Sequence, residues 1–171
     1  MMETKRNPIK IVKCYPNKPD HFSKLSEAYL KLFNREENLK FLSFTNIPID
    51  SNTITSFLKN SSIEDVKYYV AISSDDGVIG ISAFESDLIK GFSIIEVVVD
   101  IKYREYGIGR ALINKGIELA EKNGFKAINI NVFADNQPML ILLLKMDFKI
   151  IRIENHMRFD GEDLIYLQKN L

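Results

Sequence analysis

The densest chemical signal in the chain is the run Tyr103-Arg104-Glu105-Tyr106-Gly107-Ile108-Gly109-Arg110-Ala111. Two glycines spaced this way, where a helix begins, let the backbone turn successive N–H groups toward one point, and the helix dipole makes that point attractive to phosphate. Arg104 and Arg110 add fixed positive charge. The run predicts a pyrophosphate cradle, against the plainer reading of an ordinary strand-to-helix turn, which is all that an isolated Gly-x-Gly licenses. Two other nucleotide sites do not fit. A dinucleotide fingerprint requires a third small residue where Leu112 stands and an acid at the end of the next strand, where the chain has Asn129 and Asn131. An NTPase phosphate loop requires Gly-Lys-Ser/Thr, which the sequence lacks.

The second candidate is Glu96, the only charge between Ile94 and Val99. A carboxylate among Ile and Val is expensive unless it faces a wet cleft or has a partner. It reads either as a general base or amine-binding group, or as a structural carboxylate bonded to nearby backbone. The single cysteine, Cys14, excludes an internal disulfide and a cysteine metal cluster, and reads as a small core residue suited to a reducing compartment. No metal site is expected.

Around these residues the hydrophobic pattern places the elements. A strand at 9–14 is closed by Tyr15-Pro16. A helix follows to about residue 34, capped by Asp20 or Ser23, with Phe22, Leu25, Ala28, Tyr29 and Leu32 at helical spacing. Residues 35–50 read as irregular, and a short helix over 52–60 starts at Asp50 or Ser51. Strands at 68–73 and 78–84 flank Asp75-Asp76-Gly77, a hairpin signal. The nearly continuous apolar run at 92–100 reads as a strand buried on both faces. A helix over 108–123 ends at Gly124, and a strand over 126–133 returns, as a right-handed parallel crossover. Asn136 caps a further helix that ends near Met146, and strands at 149–154 and 163–169 close the chain around Asp160-Gly161.

Composition bounds the rest. The 171 residues suit one domain over 1–171, with 1–8 as a flexible start, and 46% apolar with 27% charged residues is an ordinary globular balance. Lys plus Arg equals Asp plus Glu at 23 each, so no global field draws the protein to nucleic acid or an anionic membrane. The longest apolar run, 139–144, is far too short to span a bilayer, and the charged start leads into no signal-type segment. These features predict a cytoplasmic protein.

Val97-Val98-Val99-Asp100 followed by Arg104-x-x-Gly107-x-Gly109 and an amphipathic helix resembles the acyl-CoA-binding motif of the GNAT superfamily of N-acetyltransferases, Gln/Arg-x-x-Gly-x-Gly/Ala. Downstream, Ala134-Asp135-Asn136, the helix after it and Met146-Asp147-Phe148 keep the family's order and spacing, so the match is close from Ile94 to Phe148. The resemblance implies an α+β (mixed α/β) three-layer fold. Its central sheet would be mixed and mostly antiparallel, of six to seven strands, splayed between strands four and five and flanked by about four helices. It implies acetyl-CoA as co-substrate and a primary amine as acceptor. The backbone of Val97 and Val99 would pair with the pantetheine arm, N–H groups from Glu105, Tyr106, Gly107, Ile108, Gly109 and Arg110 would hold the pyrophosphate beside Arg104, and Asn136 would bond the arm or simply cap its helix. Residues 20–62 would form one wall of the acceptor site.

The chemistry then needs a neutral amine, and deprotonating a lysine-type ammonium at pH 7 costs about 4.6 kcal/mol, so a base or a desolvating pocket must help, and Glu96 is the best candidate for that base beside its structural reading. Two family features are missing: Leu143 stands where a tyrosine often protonates the CoA thiolate, and Asn131 where a glutamate often serves as base. Tyr106, Tyr166 and His156 are substitute proton donors or ordinary packing residues. Phe33, Phe41, Phe44 and Phe57 read as core, while Glu36 and Glu37 read as a solvated helix end or a lure for a cationic amine. An acetyl-CoA-dependent N-acetyltransferase, monomeric or homodimeric, is thus the expectation. The alternative is an acyl-CoA-binding regulatory or interaction protein with weak or no chemistry.

Overall fold

The computed structural model of the chain describes residues 8–61, 65–87 and 91–171. The flexible start expected at 1–8 falls, except for Pro8, outside the described residues. Seven strands form one sheet: β1 (Lys10–Cys14), β2 (Lys67–Ser73), β3 (Gly77–Asp87), β4 (Gly91–Val99), β5 (Ala127–Phe133), β6 (Lys149–Glu154) and β7 (Leu164–Asn170). Their order is β1-β2-β3-β4-β5-β7-β6, antiparallel throughout except for the parallel β4–β5 neighbours. Asp75-Asp76-Gly77 makes the expected hairpin turn, with Gly77 at φ 68° and Ser73 paired to it.

Five helices cover the sheet: α1 (Pro19–Ala28), α2 (Glu36–Leu42), α3 (Ser51–Ser61), α4 (Ile108–Lys122) and α5 (Gln137–Leu144). The extra one is α2, in the segment expected to be irregular. Its first turn carries Glu36 and Glu37 and its last Lys40, each complementing the helix dipole, and it buries Asn38 and Leu39. Two starts also differ in detail. Lys18 is the N-cap of α1 and makes no side-chain cap; neither Asp20 nor Ser23 caps it, and Pro19, with φ already helical, opens the helix. Asp50 does start α3, its carboxylate accepting from the Thr53 N–H at 2.7 Å.

The sheet separates two cores. On one face Leu25, Ala28, Tyr29, Leu32, Ile54 and Leu58 pack on Tyr68, Val70, Ile81 and Val98. On the other, Ile108, Leu112, Ile113 and Ala120 of α4 and Leu143 of α5 pack on Phe84, Phe92, Ile94, Val97 and Ile130. Gly116 is what lets α4 lie so low: a Cβ there would stand 2.3 Å from a ring carbon of Phe84.

Two local irregularities aim side chains. After α1 the chain widens into a π-turn over Tyr29–Phe33, closed by Asn34 N–H bonding to Tyr29 O at 3.3 Å. In β4, Ala83 pairs with Glu96 but Phe84 with Ile94, so Ile95 is an extra, bulged residue. The bulge reverses the side-chain alternation. Phe92 and Ile94 point to the α4 core, and so do Val97 and Val99, which turns Glu96 and Val98 toward α1.

Candidate active site

Strands β4 and β5 pair at only three positions, Phe92 with Ile128, Ser93 with Asn129 and Ile94 with Ile130, and then diverge. The sheet is therefore splayed between strands four and five. Asp100 N–H bonds back to Ile79 O of β3 at 2.8 Å. Strand alternation then turns the backbone groups of Val98 toward β3 and those of Val97 and Val99 into the gap, where they have the geometry to bind an extended amide chain.

At the wide end of the gap the chain passes through Glu105 at φ 67° and Gly107 at φ 77°, two left-handed residues that curl the backbone inward. Gly107 is the N-cap of α4 and supplies no side-chain cap, and Ala111 N–H, bonded to Gly107 O at 2.9 Å, starts the intrahelical ladder. The N–H groups of Ile108, Gly109 and Arg110 precede that ladder, at the positive end of the 15-residue helix α4.

A cavity of about 670 Å³ runs from this turn along β4 to α5, lined among others by Val97, Val99, Arg104, Glu105, Gly107, Ile108, Gly109, Arg110 and Asn136. Tyr106 is absent from its lining: the ring is 53% exposed and lies 6.1 Å from that of Tyr103. Asn136 caps α5, its carbonyl accepting from Met139 N–H at 3.4 Å, and its side chain faces both this cavity and a second one. Arg104 donates to Asn38 Oδ1 at 2.5 Å, and Arg35 to Asp100 Oδ1 at 3.0 Å. These two bonds fasten α2 across the end of β4. No sequence pattern announced them.

The second cavity, of about 360 Å³, lies under α2 and α3 and meets the first at Phe41, Leu42, Val97, Asn136 and Met139. Glu96 faces it. The Tyr29 hydroxyl, itself almost wholly buried, donates to Glu96 Oε1. Burial pushes the Glu96 carboxyl up to about 7, and the bond from Tyr29 works against that rise by stabilising the anion. Burial, then the facing Glu96 and the neighbouring Tyr68, hold the Tyr29 hydroxyl well above the usual phenol range. Tyr29 thus stays a donor while Glu96 titrates near neutrality.

Tyr29 lies in the core stripe that its helical spacing predicts, 2% exposed, and the bulge at Ile95 turns Glu96 toward it; its spacing alone gives no sign of that partner. All four phenylalanines expected in the core, Phe33, Phe41, Phe44 and Phe57, line the second cavity; Phe33 is also a buried core residue, 8% exposed, whereas Phe44 is 46% and Phe57 40% exposed. Asn131 lines it too. The substitute proton donors lie elsewhere: Tyr166 donates to Glu154 at 2.8 Å and His156 Nδ1 bonds Gly161 O, and neither these nor Tyr106 lines either cavity. Leu143 is fully buried in the α4-side core and also lines neither. Cys14 is buried, and burial raises its thiol pKa. Among the described residues no group of three or more His, Cys, Asp or Glu side chains converges as a metal site would require, and no helix is long and apolar enough to cross a membrane.

The far end of the second cavity is braced by Arg158, which is 5% exposed. Its guanidinium bonds both carboxylate oxygens of Asp135 at 3.1 and 2.8 Å, Asp160 at 2.8 and 2.9 Å, and Lys40 O of α2 at 2.8 Å. Phe159 N–H bonds Phe44 O at 3.0 Å. The turn between β6 and β7 thereby holds the α2 end of the wall.

Comparisons with known proteins agree with this fold. An N-alpha-acetyltransferase of Sulfurisphaera tokodaii is 30% identical over 77 residues, which are 44% of this chain and 46% of that protein, so the match spans less than half of the curated relative. An acetyltransferase of the GNAT family from Streptococcus pneumoniae superposes with a TM-score of 0.75 at 20% identity, over 96% of this chain and all of that one. A Salmonella typhimurium protein solved with its cofactor acetyl-CoA gives 0.70 at 14% identity, over 96% and 94% of the two chains. At such identities the structures speak for the fold. The model of the acetyltransferase (GNAT) family matches residues 26–148, which include the π-turn, the bulged strand, the glycine turn and α5. The chain belongs to the GNAT family of acetyltransferases.

Proposed function

We propose that the protein is an N-acetyltransferase that moves the acetyl group of acetyl-CoA to a primary amine. The observation that carries this reading is the meeting of the two cavities at Val97, with the glycine turn at the far end of one and Glu96 inside the other. The larger cavity suits acetyl-CoA: N–H groups of the Glu105–Arg110 turn, with Tyr106 contributing backbone only, face the pyrophosphate, and Arg104 and Arg110 add charge. Val97 and Val99 pair with the pantetheine amides along the open side of β4. Acetyl-CoA supplies the acetyl group as a thioester, whose carbonyl carbon the amine nitrogen attacks as the carbon–sulfur bond breaks.

In this reading Glu96 is the general base. It takes the proton of the incoming ammonium, and a carboxyl poised near 7 both holds and releases that proton at neutral pH. Tyr29 fixes the carboxylate by its hydrogen bond. Asn136, between the cavities, orients the arm while it caps α5. Leu143 supplies no acid, and none is required if the leaving thiol titrates near the usual 8.5, about the range where water or the second amine proton suffices. We further infer one domain over the whole chain, working in the cytoplasm as a monomer or homodimer, without nucleic acid or membrane as partner.

Two measurements test the reading. Gly109 has room for a Cβ, at 3.5 Å from Leu142 and 3.9 Å from Val99, but the branched side chain of Gly109→Val crowds the first turn of α4. Calorimetry should show acetyl-CoA binding weakened at least about tenfold by Gly109→Val, with the wild-type melting temperature nearly kept. CoA release from acetyl-CoA should depend on added amine; tight binding with no amine-dependent release would instead favour a binding protein that has lost its chemistry.

A further inference from the structure

The second cavity has a composition that selects among amines. Its walls are rings and branched aliphatics: Phe33, Phe41, Phe44 and Phe57 from the helical side and Phe133 from β5. The rings of Phe33 and Phe57 each lie 5.8 Å from that of Tyr29, and Phe44 meets Phe133 edge-on at 5.2 Å. Among the described residues that line it, Glu96 is the only carboxylate, and there is no lysine, arginine or histidine. The other polar lining groups are Tyr29, Thr53, Asn131 and Asn136. Glu36 and Glu37, which looked able to draw a cation, do not line it, and Glu37 lies 4.0 Å from Arg35.

This inventory has chemical consequences. An acceptor carboxylate that entered would be desolvated with no cation to meet it, and a second ammonium would find no second carboxylate. Free amino acids, polyamines and aminoglycosides are therefore poor fits. One ammonium is well provided for, by Glu96 and by the rings of Tyr29, Phe33 and Phe57 among the lining residues. An apolar body fills the remaining volume, which is at the small end of ligand pockets.

We propose that the acceptor is a small primary amine whose carbon body is aromatic or bulky and aliphatic and carries no second charge; this rests on the acetyl-transfer function proposed above. The ammonium gives one proton to Glu96, and the low-dielectric walls favour the neutral pair over the charged one. The nitrogen then forms its bond to the acetyl carbon as the carbon–sulfur bond breaks. The second nitrogen proton passes to sulfur, giving CoA thiol, and Glu96 returns the first to solvent. The products are a neutral amide, CoA and one proton.

The test is steady-state transfer with matched amines, beside calorimetric binding of the same amines in the presence of CoA, where no turnover occurs. 2-Phenylethylamine should exceed ethylamine in kcat/KM by about 100-fold, the value of burying one ring. Phenylalanine, which adds a carboxylate to the same body, and spermidine, which adds cations, should each fall about 100-fold or more below 2-phenylethylamine in both measurements. Phe57→Glu, and independently Phe44→Glu, place a second carboxylate at half-exposed lining positions. Each should raise the spermidine to 2-phenylethylamine ratio at least about tenfold. Spermidine, phenylalanine or a peptide beginning with Phe-Ala turned over better than 2-phenylethylamine would overturn the acceptor class and leave acetyl transfer standing. Unchanged ratios in both glutamate variants would overturn it as well. Bound acetyl-CoA with transfer to none of these amines would overturn the acetyl-transfer reading itself, and the acceptor class with it.

Discussion

Glu96 and Tyr29 form a hydrogen-bonded pair whose proton affinities are raised first by burial, with the bond between them acting second. Because the folded carboxyl titrates near 7, above its unfolded value of 4.5, the native state holds the extra proton between those values. Stability contributed by the neutral carboxyl is full below 4.5 and is lost as pH rises through 7, a fall of about 3 kcal/mol at most. Glu96→Gln should therefore melt at a higher temperature than wild type at pH 8, with the difference gone at pH 4, while losing about 10² or more in kcat/KM. Equal melting temperatures at both pH values would show that the carboxylate is well solvated. Tyr29→Phe removes a bond to the anion, so the rise of kcat/KM with pH, centred near 7 in wild type, should move up by about one pH unit. A lower kcat with an unmoved profile would mean that the hydroxyl only packs. The sequence singled out Glu96 because a charge in an apolar strand is conspicuous; it gave no such mark to Tyr29, whose neighbours Ala28 and Leu32 make it look like one more core residue.

At the scale of elements, what reads well in the sequence is whatever rests on local chemistry. The glycine turn, the Asn136 cap, the Asp-Gly hairpin and the strand-helix-strand crossover all follow from neighbouring residues. What does not read is parity. The run from Ile94 to Val99 is apolar on both sides of Glu96, so nothing in it reveals the bulge at Ile95 that swings Glu96 from the α4 face to the α1 face. Helix α2 was hidden for a related reason, since its buried side is carried partly by Asn38, whose amide bonds Leu32 O at 2.7 Å and Arg104 instead of packing as an apolar residue would. Gly116 sets the height of α4 over the sheet. Gly116→Ala should cost about 1–3 kcal/mol in chemical denaturation, because a rigid buried ring cannot step aside. It should also weaken acetyl-CoA binding by lifting the helix that presents the glycine turn. Arg158→Met should lower the melting temperature, since the buried guanidinium's bonds to Asp135, Asp160 and Lys40 O are lost while both carboxylates stay partly solvated, and should raise KM for the amine more than it lowers kcat, because Lys40 O belongs to the wall. An effect confined to kcat would place Arg158 outside the support of that wall.

Across the whole molecule, the sheet is two unlike halves. Strands β1 to β4 run as successive antiparallel neighbours, whereas β5, β7 and β6 form a separate antiparallel group. Between the halves the sheet has three paired positions and no more. That splay makes room for a ligand, and it is the line along which local opening is expected first. Amide hydrogens at the joined end, around Ile94 and Ile130, should exchange with solvent only on global unfolding, while those of Val97 and Val99, which point into the gap with no strand partner, should exchange orders of magnitude faster until a ligand fills it. Uniform protection along β4, measured by native-state hydrogen exchange on the ligand-free protein, would show that the gap is closed in solution. A seam of this kind ties the protein's lifetime to its cosubstrate. A ligand that bridges the two halves suppresses their separation, so susceptibility to a protease should track acetyl-CoA concentration even when no acceptor is present.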